Sequence, residues 1–144
     1  MEWLLATDRS VIQLLLRLTL ALVMFPHGAQ KALGWFGGYG YKGTMGYFTS
    51  LGFPSPLGVL AISAEFLGSI GLAVGLFTRV AAFGIACVMV GAVLTTHTQH
   101  GFFMNWYGNQ KGEGFEFHLL VLGIALALIL GGGGLWSMDA LLVR

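Results

Sequence analysis

The sequence predicts an all-α integral membrane protein: a bundle of four transmembrane helices, with both termini on one side and two longer glycine- and aromatic-rich loops on the other. Three observations carry this. Hydrophobic residues make up 56% of the 144 residues and charged residues 9%, with a mean hydropathy of +0.81, a composition suited to hydrocarbon. The apolar residues fall into four stretches, each close to the length of about 20 residues that a membrane helix needs. A long loop, a tight turn and a second long loop separate them, so both long loops fall on one face. Residues 1–144 read as a single domain. The net charge of +1 gives no electrostatic case for nucleic acid or an acidic partner.

The first run follows Glu2, Asp8 and Arg9 and continues past Met24 into Phe25-Pro26-His27-Gly28. No small-x-small site closes it, so it reads as an uncleaved span over residues 11–33. Pro26 removes one backbone hydrogen bond and predicts a kink beside His27. Residues 34–56 read as a loop, because Gly37, Gly38 and Gly40 oppose a long helix. A short interfacial helix fits near Tyr47 and Phe48, where aromatic density marks a membrane–water boundary. The second span covers residues 57–77. Its Ala64, Gly68, Gly71 and Gly75 recur every three or four residues and permit close helix approach, within the monomer or in a homo-oligomer.

Thr78-Arg79 reads as a tight turn before the third span, residues 80–98. Gly84, Cys87 and Gly91 form the small face of that span. Cys87 has no partner for an internal disulfide and reads as a small packing residue. Residues 101–114 form the second aromatic loop, with Trp106 and Lys111. The fourth span, residues 115–130, is stopped by four consecutive glycines, and a short tail with Trp136 follows. Arg9, Arg17, Arg79 and Arg144 fall at the terminal end; Lys31, Lys42 and Lys111 fall at the loop end. The positive-inside rule then places the termini in the cytoplasm.

Six ionisable residues interrupt these runs: His27, Lys31, Glu65, His97, Glu116 and His118. Each costs roughly 2.5–3.5 kcal/mol at the centre of a membrane unless it finds a partner, which makes it a functional candidate. At about 1.5 Å per residue, His27 and Lys31 lie in the loop-side third of the first span. Glu65 lies about 12 Å in from the loop end of the second. His97 closes the third span, and Glu116 and His118 open the fourth. All four helices therefore bring polar groups to one level. Glu116 and His118 point about 160° apart on an ideal helix, which favours His118 facing inward and Glu116 as a helix-end charge.

Plainer readings stand beside these. Lys31 can snorkel, Glu65 can be a protonated hydrogen-bonding acid, and His97 and His100 can cap the third span. Arg17 sits about 10 Å deeper than this level and either snorkels to the headgroups or reaches Glu65. The leading chemistry is a quinone or similar small molecule held by His27, Lys31 and His97, with Met24 and Trp106 against its ring and Glu65 and His118 carrying protons. Alternatives are a transition metal held by His97, His100, His118 and Glu65, and a non-catalytic scaffold for soluble oxidoreductases.

Phe25-Pro26-His27-Gly28-Ala29-Gln30-Lys31 with Gly34-Trp35-Phe36-Gly37-Gly38 resembles the first signature of the DoxX family. Ala64-Glu65-Phe66 with Gly68 and Gly71 resembles its second. Thr95 to His97, Gly101-Phe102-Phe103-Met104-Asn105-Trp106 and Gly112-Glu113-Gly114-Phe115-Glu116-Phe117-His118-Leu119-Leu120 resemble its third and fourth. His100 departs from the neutral polar residue expected there. The resemblance implies a four-helix protein of the prokaryotic cell membrane, linked to membrane oxidoreductase complexes and quinone chemistry. It assigns no role to His27 or Glu65.

Overall fold

The structure, a computed structural model, describes residues 2–143; Met1 and Arg144 lie outside it, and with them the expected terminal-side charge of Arg144. The described residues are helical, without strands. In chain order the helices are α1 (Glu2–Leu5), α2 (Val11–Leu33), α3 (Gly40–Ser50), α4 (Ser55–Val74), α5 (Thr78–Ala92), α6 (Glu116–Gly131) and α7 (Met138–Leu142). Beyond Ala92 the α5 axis continues as a π-turn over Val93–His97 and a 3-10 turn over Thr98–His100. Three helical segments are long and apolar enough to cross a membrane: Val11–Leu33, Ser55–Val74 and Thr78–His100. The apolar α6 is shorter, at 16 residues.

α2 packs on α4, α4 on α5, α5 on α6, and α6 returns to α2. The core between them holds Leu20, Met24, Leu72, Ile85, Val121 and Leu128. The outer faces are equally apolar: Leu22, Leu60, Phe83, Leu94 and Leu120 are all exposed. A helix that is hydrophobic all round needs an apolar surrounding, so these faces suit lipid contact. α2 and α4 cross with their backbones touching at Gly28, where a Cβ would lie 2.6 Å from the Phe66 backbone nitrogen. The small-residue stripe of α4 serves packing inside the monomer in part, since a Cβ on Gly84 would meet the Ala64 Cβ at 3.2 Å.

Several elements differ from the sequence reading. α4 ends at Val74 because Gly75 turns left-handed (φ 71) and ends the helix. The turn is therefore residues 75–77, and Thr78 and Arg79 open α5 instead of forming the turn. The tail is not a plain extension. Ser137 caps α7 by accepting from the Ala140 N–H. From α7 the buried Asp139 accepts the Phe77 N–H at 2.7 Å and the Thr78 N–H at 2.9 Å, two otherwise unsatisfied donors at the start of α5. Residues 40–50 are helix in spite of Gly40, Gly43 and Gly46, because packing overrides propensity. α3 lies on α2 and α4, with Met45 and Phe48 against Gly58.

Arg17 neither snorkels nor reaches Glu65. It is only 2% exposed. Its Nη1 donates to Leu72 O and Ala73 O at 2.7 Å each, Nε to Gly133 O at 3.0 Å and Nη2 to Leu135 O at 3.4 Å. The planar fork thus serves carbonyls at the end of α4 and in the segment after α6. Arg79 does the same for α6: Nη1 donates to Ile129 O and to Leu130 O, and Nη2 to Ala6 O at 2.9 Å. The Arg79 guanidinium also lies 4.7 Å over the Trp3 ring.

Replacing Arg17 by Met strands up to four carbonyls, at about 1–3 kcal/mol for each one left unsatisfied. The expected outcome is a large fall in thermal unfolding temperature in detergent, with Arg17→Lys recovering only part of it. Asp139→Ala is expected to cost about 0.5–2 kcal/mol, the usual range for losing an N-terminal cap.

Candidate functional site

The end of the bundle away from these two arginines is built differently. Contact at Gly28 brings the last turns of α2 against Glu65 on α4. Lys31 Nζ donates to Glu65 Oε2 as an ion pair, with the Glu65 side chain 2% exposed and that of Lys31 32% exposed. α3 closes over this pair, and Thr44 Oγ1 donates to Lys31 O at 3.3 Å. Lys31 thus reaches a buried carboxylate instead of snorkelling.

Beside the pair lies a cavity of about 620 Å³. Its polar wall includes Lys31, Glu65 and His97 with Thr95 and Thr96, and its aromatic wall includes Tyr47, Phe48 and Phe53. Leu57, Leu60 and Phe83, also lining it, are exposed, so the mouth lies on the outer face between α4 and α5. A volume of this size suits a small organic ligand. A smaller groove of about 390 Å³ runs farther along α4 and α5 and has no titratable lining residue.

His97 comes to the cavity through the π-turn at the end of α5. Such turns add a residue to the helical repeat and are frequent at functional sites. His97 Nδ1 lies 2.8 Å from Glu113 O. A carbonyl oxygen only accepts, so Nδ1 donates, and in the neutral ring the lone pair is then on Nε2. The His97 ring centroid is 4.1 Å from that of His118, with the planes tilted by 42°. His118 is 6% exposed, and its Nδ1 is buried without a partner.

The remaining expected residues are distributed differently. His27 is exposed, with its ring 6.0 Å from Phe117, and stands beside the cavity without lining it. Met24 is 1% exposed and belongs to the core, where Leu20 and Val121 also pack. Trp106 is 77% exposed and donates from Nε1 to Glu116 Oε1 at 2.8 Å. The same oxygen accepts the Met104 N–H at 2.9 Å. Glu116 opens α6 as expected, but its carboxylate also fastens the 101–115 loop. His100 packs on Gly112, where a Cβ would lie 2.5 Å from His100 Nε2. Among the described residues no three of His, Cys, Asp and Glu converge as a metal site would require, so His97, His100, His118 and Glu65 are not assembled as a ligand set. Cys87 is an exposed thiol on the cavity wall, not a packing residue. Its place on one face with Gly84 and Gly91 was the available sequence signal.

Comparison with known proteins adds three findings. The DoxX family model matches residues 12–98. A protein of Bacillus subtilis (strain 168) described as "Putative oxidoreductase CatD" is 31% identical over 115 residues, which cover 80% of this chain and 76% of that protein. No solved structure is a significant match.

Removing one member of a buried ion pair typically costs about 3–5 kcal/mol. Partial access of Lys31 to the surface places Glu65→Leu at or below the low end of that range. The double variant Lys31→Met/Glu65→Leu is expected to recover most of the lost stability in detergent unfolding, which a double-mutant cycle measures.

Proposed function

The chain belongs to the DoxX family of membrane proteins, and on that premise we propose that it is a redox-linked membrane subunit that binds a quinone or similar small molecule in the cavity beside Lys31 and Glu65. One observation carries this reading: an ion pair forms part of the wall of a largely apolar, aromatic cavity whose mouth lies on the exposed apolar face between α4 and α5. A quinone matches both halves. Its ring suits Tyr47, Phe48 and Phe53, its tail can leave through the mouth past Leu60 and Phe83, and its carbonyl accepts from Lys31. Glu65 holds the ammonium in place, and His97 completes the polar wall. The relative described as an oxidoreductase agrees with a redox-linked role. Electron exchange with the bound molecule belongs, in this reading, to a partner oxidoreductase.

In the same reading all of α2, α4, α5 and α6 cross the cell membrane of a prokaryote, and residues 1–144 form one domain. α6, about 24 Å long at 1.5 Å per residue, is short for a hydrocarbon core of about 30 Å, a mismatch that bilayers accommodate at modest cost. The termini face the cytoplasm, the end where four of the seven cations, Arg9, Arg17, Arg79 and Arg144, stand in the sequence.

Cys87, the only cysteine, reports occupancy of the cavity. Decylubiquinone, whose fully substituted ring does not alkylate thiols, is expected to slow maleimide labelling of Cys87 in the detergent-solubilised protein. Glu65→Gln is expected to abolish that protection. Unchanged labelling at saturating decylubiquinone would sink the quinone reading.

A further inference from the structure

We infer that His97 is the residue that exchanges a proton with the molecule in the cavity, acting through Nε2, and that His118 positions its ring. The inference rests on the reading of the cavity as a quinone site and deepens it.

Three independent features converge on His97. It is the one histidine that lines the cavity. It arrives there through the π-turn Val93–His97, which departs from the regular helix that precedes it. Its Nδ1–H is committed to Glu113 O at 2.8 Å. With Nδ1 occupied, a neutral His97 offers its other nitrogen as a hydrogen-bond acceptor and base. His118, by contrast, does not line the cavity, is 6% exposed, and has its Nδ1 enclosed by protein without a partner. Its Nδ1 is therefore closed to a cavity ligand, and the ring as a whole stands behind that of His97 and outside the cavity lining. What His118 supplies is the face of its ring, 4.1 Å from that of His97, which with the Glu113 carbonyl restricts rotation of the His97 ring.

The step is a proton transfer and moves no electrons. A ligand hydroxyl loses its hydrogen, the O–H bond breaks and an Nε2–H bond forms. The ligand oxygen then carries the negative charge and His97 the positive one. The reverse step returns the proton to the ligand oxygen. The charged groups that line the cavity with His97 are Lys31 from α2 and Glu65 from α4, and the Glu113 carbonyl from the 101–115 loop holds its Nδ1. Lys31 donates and His97 accepts, so the two ends of the polar wall are chemically distinct. A quinol, with hydroxyls to donate, therefore gains from His97 a contact that the quinone cannot make.

The test compares decylubiquinol with decylubiquinone, using anaerobic protection of Cys87 from maleimide as the binding readout. His97→Asn retains a donor positioned like Nδ1 but has no Nε2. It is expected to weaken decylubiquinol by about tenfold, the usual order for one lost hydrogen bond, and to leave decylubiquinone within about twofold. His118→Phe keeps a ring against His97 and is expected to preserve the wild-type ratio of the two affinities. If His97→Asn weakens both probes equally, or if His118→Phe abolishes the ratio, the assignment of proton exchange to His97 is overturned. If the wild-type protein binds neither probe, the quinone reading itself fails. Nitrogen NMR of histidine-labelled wild-type protein checks the premise without mutation: His97 is expected as the Nδ1–H tautomer, and an Nε2–H tautomer would overturn the inference.

Discussion

The architecture depends on satisfying backbone carbonyls where no water reaches them. A helix leaves its last carbonyls without partners inside the helix, and in an apolar setting each one left open is costly. Arg17 and Arg79 meet that requirement at one end of the bundle. Arg17 joins α2 to the end of α4 and to the segment after α6, and Arg79 joins α5 to the end of α6 and to Ala6. Guanidinium is the suitable group, since its rigid fork can serve several acceptors at once and stays charged when buried. Asp139 complements them by satisfying amides at the start of α5. Termini that would otherwise fray are thereby tied into the bundle.

With that end closed, the opposite end can carry an opening. The Lys31–Glu65 pair is a buried ion pair, which contributes little net stability compared with apolar packing of similar volume. It stands in the wall of the cavity, with its carboxylate buried and its ammonium partly exposed. The surrounding chain follows the same logic. α3 covers the cavity with aromatic rings instead of filling it, and α5 changes its winding to deliver His97. The 101–115 loop is held by its own contacts, through Glu116 to Trp106 and Met104, and so presents the Glu113 carbonyl at a defined place.

Most of the helical plan was legible in the chain. α2 occupies the expected residues because Ser10 caps its start and Gly34 ends it, both recognisable signals. Counting depth along two antiparallel helices brought Lys31 and Glu65 to one end of the bundle, but not their pairing, since Arg17 was the partner weighed for Glu65. A short helix near Tyr47 and Phe48 was legible, but its start at Gly40 and its place over the cavity were not, because the glycines argue locally against helix and only contact with α2 and α4 outweighs them. Trp106 and Met24 were placed at the site by level and residue type, but those do not tell which way a side chain turns. Trp106 turned to a carboxylate on α6, and Met24 turned into the core.

The sequence by itself determined that the chain is helical and apolar, where its long helices run, and that rare charges gather at one level. Those properties depend on composition and on spacing along a single helix, and they survive without knowledge of any neighbour. Only the tertiary structure decided which charge meets which. Arg17 chose carbonyls over Glu65, Lys31 chose Glu65 over the headgroups, and Asp139 in the tail became the cap of α5. Each outcome turns on a few ångströms of approach between segments distant in sequence, as at Gly28 and Gly75, where the absence of a side chain lets those segments meet.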